Sequence, residues 1–504
     1  MSLLLSRSWK LLARWWNRAG TRAAVAWSIV YLVVCATGQR FDTRYLGYGW
    51  QLIPWDVLSA DPVRSVWYLH VQPPLWNLFL GGLAWMSPVG DSFTLQAAMA
   101  AIGVAGAFLA AELATSFGLS RRWAVVVALV ATANPEVLKG AFEPTYELAT
   151  GVLLMAVVLV LSRLGSMTNV RRGLLLLAAL VTATTMTRSL YHPIWAIALV
   201  VLGLWLVRGR IDRRTVLATL AVPILVMGGW MAKNQFLFGD ATLSSWFGMN
   251  LQRAVIPVLP RADLEKMHAD GDVSEIAMIG PFGNYDLYVD AMPPCEPTRE
   301  HRSLSEATRT TDQWSPNFNY ECFLPIYSVA GDDALAVIRQ HPEVWVEGRM
   351  WSLRATFAVA TLPAESESIA MRFLDSTFSV TRLDMGGVLS TYGWGTPIYG
   401  QLEAGVDFGL VLIPLYAVLI LAGARVLVRR LRRRTMVTND VALVATSFTV
   451  AFTIVVGAVA ELGEQARFRT MVDPLATVVG AFLISMAVRA VRSARQRQAS
   501  SVGR

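Results

Sequence analysis

Charge is what this sequence has least of. Of its 504 residues only 16% are Asp, Glu, Lys or Arg, while 54% are hydrophobic. Soluble domains carry roughly 25% charged residues. The deficit argues against a chain solvated mainly by water, and the mean hydropathy of +0.45 is that of one solvated mostly by lipid. Cysteine is scarce: the three residues leave room for one disulfide at most. Cys35 falls in the first apolar segment, whereas Cys295 and Cys322 fall in a polar stretch where an oxidising compartment would permit a bond; sequence alone leaves that pairing open. Also missing are a cleavable signal peptide, an internal repeat, a low-complexity tract and a glycine-rich phosphate loop. The glycines at 47–49 make a turn and do not open a helix after a strand.

What is present is a series of apolar segments separated by short runs of arginine. A membrane-crossing helix needs about 20 predominantly apolar residues. Ten such segments are predicted, at about 23–38, 94–117, 122–138, 147–163, 173–188, 192–207, 214–232, 405–424, 440–460 and 474–491. The first follows Arg14, Arg18 and Arg22 and reads as a signal anchor. The basic runs Arg121–Arg122, Arg171–Arg172, Arg208–Arg214, Arg425–Arg434 and the tail from Arg489 mark cytoplasmic sides. Among acids only Asp212 and Asp440 fall within these runs or at their edges. The net charge of +8 is therefore divided between membrane loops, and basic stripes for nucleic acid would not be cut up in this way. Pro73–Met86 is apolar but short and starts with two prolines. If it crossed, every later basic run would move outside, so it is predicted to be an outer juxtamembrane helix.

The expected fold is an all-α polytopic membrane protein of about ten spans, with both termini cytoplasmic, in the cell inner (plasma) membrane. Residues 1–232 form a first bundle with an outer loop over 39–93, residues 233–404 an extracytoplasmic insert of mixed polarity, and residues 405–504 a second bundle with a basic tail. Within the insert an amphipathic helix is predicted over Asp332–Leu362.

In this topology the unusual polar residues collect on the outer face. The first outer loop offers Asp42, Asp56, Asp61, Arg44, His70 and Gln72. The second offers Glu136, Lys139, Glu143 and Glu147, the third Arg188 and His192, and the last Glu461, Glu464, Arg467, Arg469 and Asp473. Ionisable groups at a membrane boundary are costly and tend to mark function. Carboxylates suit deprotonation of a hydroxyl, and arginines suit a phosphate through their planar fork. Aromatic rings suit sugar faces as well as the headgroup level of a bilayer. Trp50, Trp55, Trp67, Tyr68 and Trp76 fit both uses; Arg467 and Arg469 fit both a bound phosphate and the phosphates of the bilayer. His70 and His192 carry no metal-ligand spacing and read as hydrogen-bonding residues. Acids, arginines and aromatics together point to transfer of a sugar from a phospholipid carrier.

Three stretches carry a family resemblance. Phe41-Asp42-Thr43-Arg44-Tyr45, directly after the first span, resembles the acidic start of the first outer loop in GT-C-fold glycosyltransferases, the relatives of protein O-mannosyltransferases, aminoarabinose transferases and arabinosyltransferases. His70-Val71-Gln72-Pro73-Pro74-Leu75-Trp76 is similar to their juxtamembrane signature. Gly463-Glu464 through Arg467-Phe468-Arg469 is similar to their late outer loop. The resemblance implies a polyprenyl-phosphate sugar as donor and Asp42 as the catalytic base or acceptor-orienting carboxylate. Glu143 or Glu147 would fill the acidic position of the second outer loop, and Lys139, Arg188, Arg467 and Arg469 are the candidate phosphate contacts. Arg44, His70, Gln72, His192 and Glu464 complete the candidate substrate-binding set. Thr43 stands where many members have a second acid, so a divalent cation is left open and no metal ligand is assigned. The expected partners are membrane lipids, the lipid-linked sugar, and a glycan, lipid or protein acceptor, with no nucleic acid. The rival classes are a multi-pass transporter or flippase for a lipid-linked or anionic substrate, and a scaffold with a recognition ectodomain.

Overall fold

The structure is a computed structural model that describes residues 18–86, 91–309, 312–357, 368–379, 383–384, 407–408, 412–460 and 465–502. Among these, eight helices are long and apolar enough to cross a membrane, and a ninth span results if one bent pair is counted as a single crossing. The chain is a polytopic, mostly helical membrane protein. The eight are Ala19–Ala36, Ser92–Ser116, Tyr146–Leu164, Val170–Thr187, Pro193–Arg210, Arg213–Phe238, Thr438–Val459 and Ala466–Gln496. They match eight of the predicted segments.

The predicted span at 122–138 is bent. Arg121–Thr132 and Pro135–Ala141 form two helices bent by 66°. The break lies at Ala133–Asn134, because Pro135 cannot continue the hydrogen-bond ladder and starts a new helix that the Asn134 side chain caps through the Glu136 amide at 3.1 Å. This turn brings Glu136, Lys139 and Glu143 inward. The predicted span at 405–424 is represented by Leu412–Arg433, whose last turns carry Arg425, Arg429, Arg430, Arg432 and Arg433 and which is not among the eight. Leu75–Trp85 is an 11-residue helix, as predicted for the juxtamembrane segment. At 1.5 Å per residue it reaches only about 16 Å, half the apolar thickness of a bilayer.

Close packing of the first bundle rests on small residues at crossings. Trp27 is 1% exposed, and a β-carbon built on Gly103 would lie 2.2 Å from its ring. The Trp27 indole donates to the Thr132 carbonyl at 3.1 Å, which ties the first span to the bent pair.

The insert is bound tightly to the first outer loop. Arg309, 1% exposed, pairs in a short antiparallel ribbon between Thr308–Arg309 and Asp312–Pro316. Its guanidinium donates to the carbonyls of Gly49 at 2.8 Å and Leu52 at 2.6 Å. Cys295 and Cys322 form a disulfide, which settles the pairing that sequence left open. The single helix predicted over Asp332–Leu362 is instead two, Phe323–Gln340 and Pro342–Thr356. Pro342 ends the first by disfavouring helical backbone at His341 and opens the second; the positions past Phe357 lie outside the described residues.

Candidate functional site

The loop after the first span and the loop before Tyr146–Leu164 meet through the backbone. The Asp42 amide donates to the Phe142 carbonyl at 2.8 Å, which sets Asp42 beside Glu143. Arg44 grips Asp42 as a fork, Nε to Oδ1 at 3.0 Å and Nη2 to Oδ2 at 2.8 Å, and the Arg44 amide donates to Oδ1 at 2.9 Å. Burial pushes the Asp42 carboxyl upward, but the hydrogen bonds and charge of Arg44 prevail and hold it below its ordinary value. Glu143 is treated differently. It is buried, and burial together with the charges of Asp42 and Glu147 pushes it up to about 7 against the opposing pull of Arg467 and Lys139. Tyr48 shares the field: burial raises its hydroxyl, with Glu143 and Asp42 adding to the effect. Two adjacent carboxyls, one firmly ionised and one poised near neutrality, form the arrangement that acid–base chemistry needs.

Three further carboxylates are taken up by arginines of the last span. Arg467 Nη2 lies 2.5 Å from Glu147 Oε1. Arg469, 2% exposed, reaches Glu136 Oε2 and Asp473 Oδ2, each at 2.6 Å, and the Tyr416 hydroxyl donates to Asp473. These pairs tie the segment between Glu136 and Glu147 to the C-terminal helices. Glu136 and Asp473 lie in the predicted loops outside the candidate set: the Glu136 partner is 333 positions away and leaves no trace in local sequence, whereas Asp473 meets Arg469 at a spacing of four along one helix. Glu464 lies outside the described residues.

Beside this cluster opens a cavity of about 560 Å³. Its lining is mixed: Gln51, Gln72, Asn250 and the buried guanidinium-bearing Arg188 and Arg253 are polar, and Leu190, Ile194, Met231, Phe452 and Val456 are apolar. Arg188 follows the helix Val170–Thr187; it donates to the Tyr146 hydroxyl and stacks over the rings of Tyr146 at 4.6 Å and Phe468 at 4.9 Å. His192 sits on the same rim, exposed, with Nδ1 accepting from the Ile194 amide at 3.4 Å. Partial burial lowers its pKa.

Asp42 and Glu143 do not line this cavity, but short connections lead to it. Tyr45 donates its hydroxyl to Gln51 Oε1 at 2.7 Å on the Asp42 side. Tyr146 receives Arg188 on the Glu143 side. Lys139 is half-buried within the carboxylate field. His70 stands apart: it is 1% exposed, its Nδ1 lies 2.7 Å from Ser245 Oγ and its Nε2 lies 3.1 Å from the Asn319 carbonyl. Burial takes its pKa down to about 3, so it is neutral and pins the first loop to the insert. Arg253 is not among the sequence candidates, because it lies on the short helix Phe247–Val255 near the start of the insert with no neighbouring signal. Among the described residues no group of three or more His, Cys, Asp or Glu is placed to hold a metal ion.

Fold and site together define a helical membrane protein with a cavity of mixed polar and apolar lining next to a carboxylate pair. Its architecture is similar to that of the oligosaccharyltransferase AglB from Archaeoglobus fulgidus, solved with an inhibitory peptide and a dolichol-phosphate. That likeness has 13% identity and a TM-score of 0.38 over 96% of this chain and 52% of the other, so this chain spans about half the length of AglB. It is also similar to ArnT from Cupriavidus metallidurans, bound to undecaprenyl phosphate (16% identity, TM-score 0.33, 88% of this chain and 76% of the other) and in the apo state (15%, 0.28, 88% and 78%). These are proteins of the kind the sequence motifs resemble; at TM-scores this low, function is read from the site itself. No protein-family model and no curated protein matches the sequence.

Proposed function

We propose that this protein is an inverting glycosyltransferase that moves a sugar from a polyprenyl-phosphate donor to an extracytoplasmic glycan, lipid or protein acceptor. The observation that carries the proposal is the juxtaposition of Asp42 and Glu143 close to a cavity lined both by the guanidinium-bearing Arg188 and Arg253 and by apolar side chains. The polyprenyl tail lies along Ile194, Met231, Phe452 and Val456, and the phosphate meets Arg188. The ionised Asp42 orients the acceptor hydroxyl. Its oxygen attacks the anomeric carbon, its proton passes to Glu143, and the bond to the phosphate oxygen breaks with the electron pair leaving on the phosphate. Arg188 stabilises that developing charge, as charge-assisted guanidinium bonds to phosphate do. Arg467 and Arg469 act at one remove, by positioning Glu147 and Glu136. The Cys295–Cys322 bond supports an extracytoplasmic insert, because disulfides persist in oxidising compartments. The test is transfer of radiolabel from polyprenyl-phosphate sugars by membranes that contain the protein. Movement of the lipid between leaflets with no transfer would favour a flippase instead.

A further inference from the structure

Phe282 has a backbone that a bulky side chain rarely adopts. Its φ is +60°, in the left-handed region, where such residues persist only if their surroundings impose it. Here the surroundings do impose it. Gly280, with φ +91°, turns the chain, and the buried Tyr288 hydroxyl clamps the turn by donating to the Gly280 carbonyl at 2.6 Å and accepting from the Gly283 amide at 2.9 Å. The outcome is a ring placed on the cavity wall. Phe282 stacks on Trp50 with centroids 5.2 Å apart and an interplanar angle of 20°, and it meets Trp246 edge-on at 5.5 Å. The Arg253 guanidinium lies 5.7 Å from its centroid. Phe282 also meets Phe318 edge-on at 5.4 Å, so the strained turn sets a ring of the aromatic core at the cavity beside Gln51 and Asn250.

We propose that Phe282, with Trp50, forms the subsite that selects the sugar carried on the lipid phosphate. The part of the Trp50–Phe282 stack that reaches the cavity takes the C–H face of a pyranose or furanose ring, and Gln51, Asn250 and Arg253 take its hydroxyls. The proposal rests on the donor assignment made above and adds which residues read the sugar. The full-length protein in lipid nanodiscs is titrated with undecaprenyl phosphate and with undecaprenyl phosphate bearing glucose, galactose or arabinose. The wild type binds one or more of the sugar-bearing lipids roughly tenfold tighter than the bare lipid, a margin typical of aromatic stacking. Phe282→Gly relieves the φ strain, since glycine adopts it freely, and abolishes that margin while the affinity for bare undecaprenyl phosphate stays the same. Phe282→Tyr keeps the margin, and Trp50→Leu loses it, which covers the case in which Phe282→Gly fails to fold. A margin that survives both Phe282→Gly and Trp50→Leu, or no margin in the wild type, overturns the subsite. Failure of bare undecaprenyl phosphate to bind, or binding indifferent to Arg188→Gln, overturns the donor assignment as well.

Discussion

Replacing Glu143 with Gln removes one carboxylate charge from the second outer loop and keeps its shape. Glu143 is the buried member of the pair and is pushed up to about 7. A general base contributes roughly 10²–10⁴-fold to turnover, so Glu143→Gln is expected to lower the transfer rate by about that factor. The wild-type pH profile follows from the same carboxyl. At about pH 5, two units below its pKa, roughly one molecule in 100 holds an ionised base, so kcat/KM should fall about 100-fold below its plateau at alkaline pH. The groups facing Glu143 shift this limb in known directions. Asp42→Asn removes an anion and moves it to lower pH; Arg467→Gln removes a cation and moves it to higher pH. Stability runs the opposite way. A carboxyl raised above its ordinary 4.5 favours the folded state in its neutral form. That contribution is complete below about 4.5 and is lost as pH rises through about 7. The assay is transfer of radiolabel at pH 5 to 9, with thermal unfolding followed alongside. A flat profile across this range, or a Glu143→Gln enzyme within about threefold of wild type, would refute the assignment of the base.

Other substitutions test the remaining parts. Arg469→Met strands two buried carboxylates, Glu136 and Asp473, and should cost about 3–5 kcal/mol in detergent unfolding; Arg469→Met combined with Glu136→Gln and Asp473→Asn should recover most of that loss. Arg188→Gln should weaken binding of undecaprenyl phosphate by roughly 10–100-fold, the value of a charge-assisted hydrogen bond, as read by titration in nanodiscs. Asp42→Asn should lower kcat with unchanged affinity for the donor lipid, since it acts on the acceptor. Cys295→Ser with Cys322→Ser opens a loop of sequence separation 27 and should lower the stability of the insert by roughly 3–4 kcal/mol, seen as increased proteolysis between them.

The parts of this molecule that were legible in its sequence are those set by composition over a window. Eight crossing helices follow from apolar length, and the short helix Leu75–Trp85 follows from its paired prolines and the sidedness of the later arginines. The break at Asn134–Pro135 was written in the sequence as a helix-start signal but was hidden by the apolar residues on either side. His341–Pro342 lies among the polar residues Arg339, Gln340 and Glu343, and there the proline alone marks the helix boundary. Within the site, Asp42 and Glu143 were legible because each lies at the outer end of a predicted span. The divergence of their protonation was not legible, since it depends on Arg44 folding back and on how deeply Glu143 is buried. Arg467 and Arg469 showed their charge but not their partners, Glu147 and Glu136, which come from the other end of the chain. Phe282 and Arg253 gave no signal, because their importance comes from the cavity they reach across the fold.

In the proposed reaction the Asp42–Glu143 pair and Arg188 act on one lipid-linked sugar. The most direct measurement is single-turnover transfer in membranes loaded with radiolabelled polyprenyl-phosphate sugar, comparing wild type with Glu143→Gln and Arg188→Gln at equal protein levels. The account predicts label in an acceptor fraction for wild type and losses of about 100-fold or more for Glu143→Gln, with bound donor retained in Glu143→Gln and reduced in Arg188→Gln. Equal transfer by all three proteins, or no label released from the lipid by the wild type with any sugar, would contradict it.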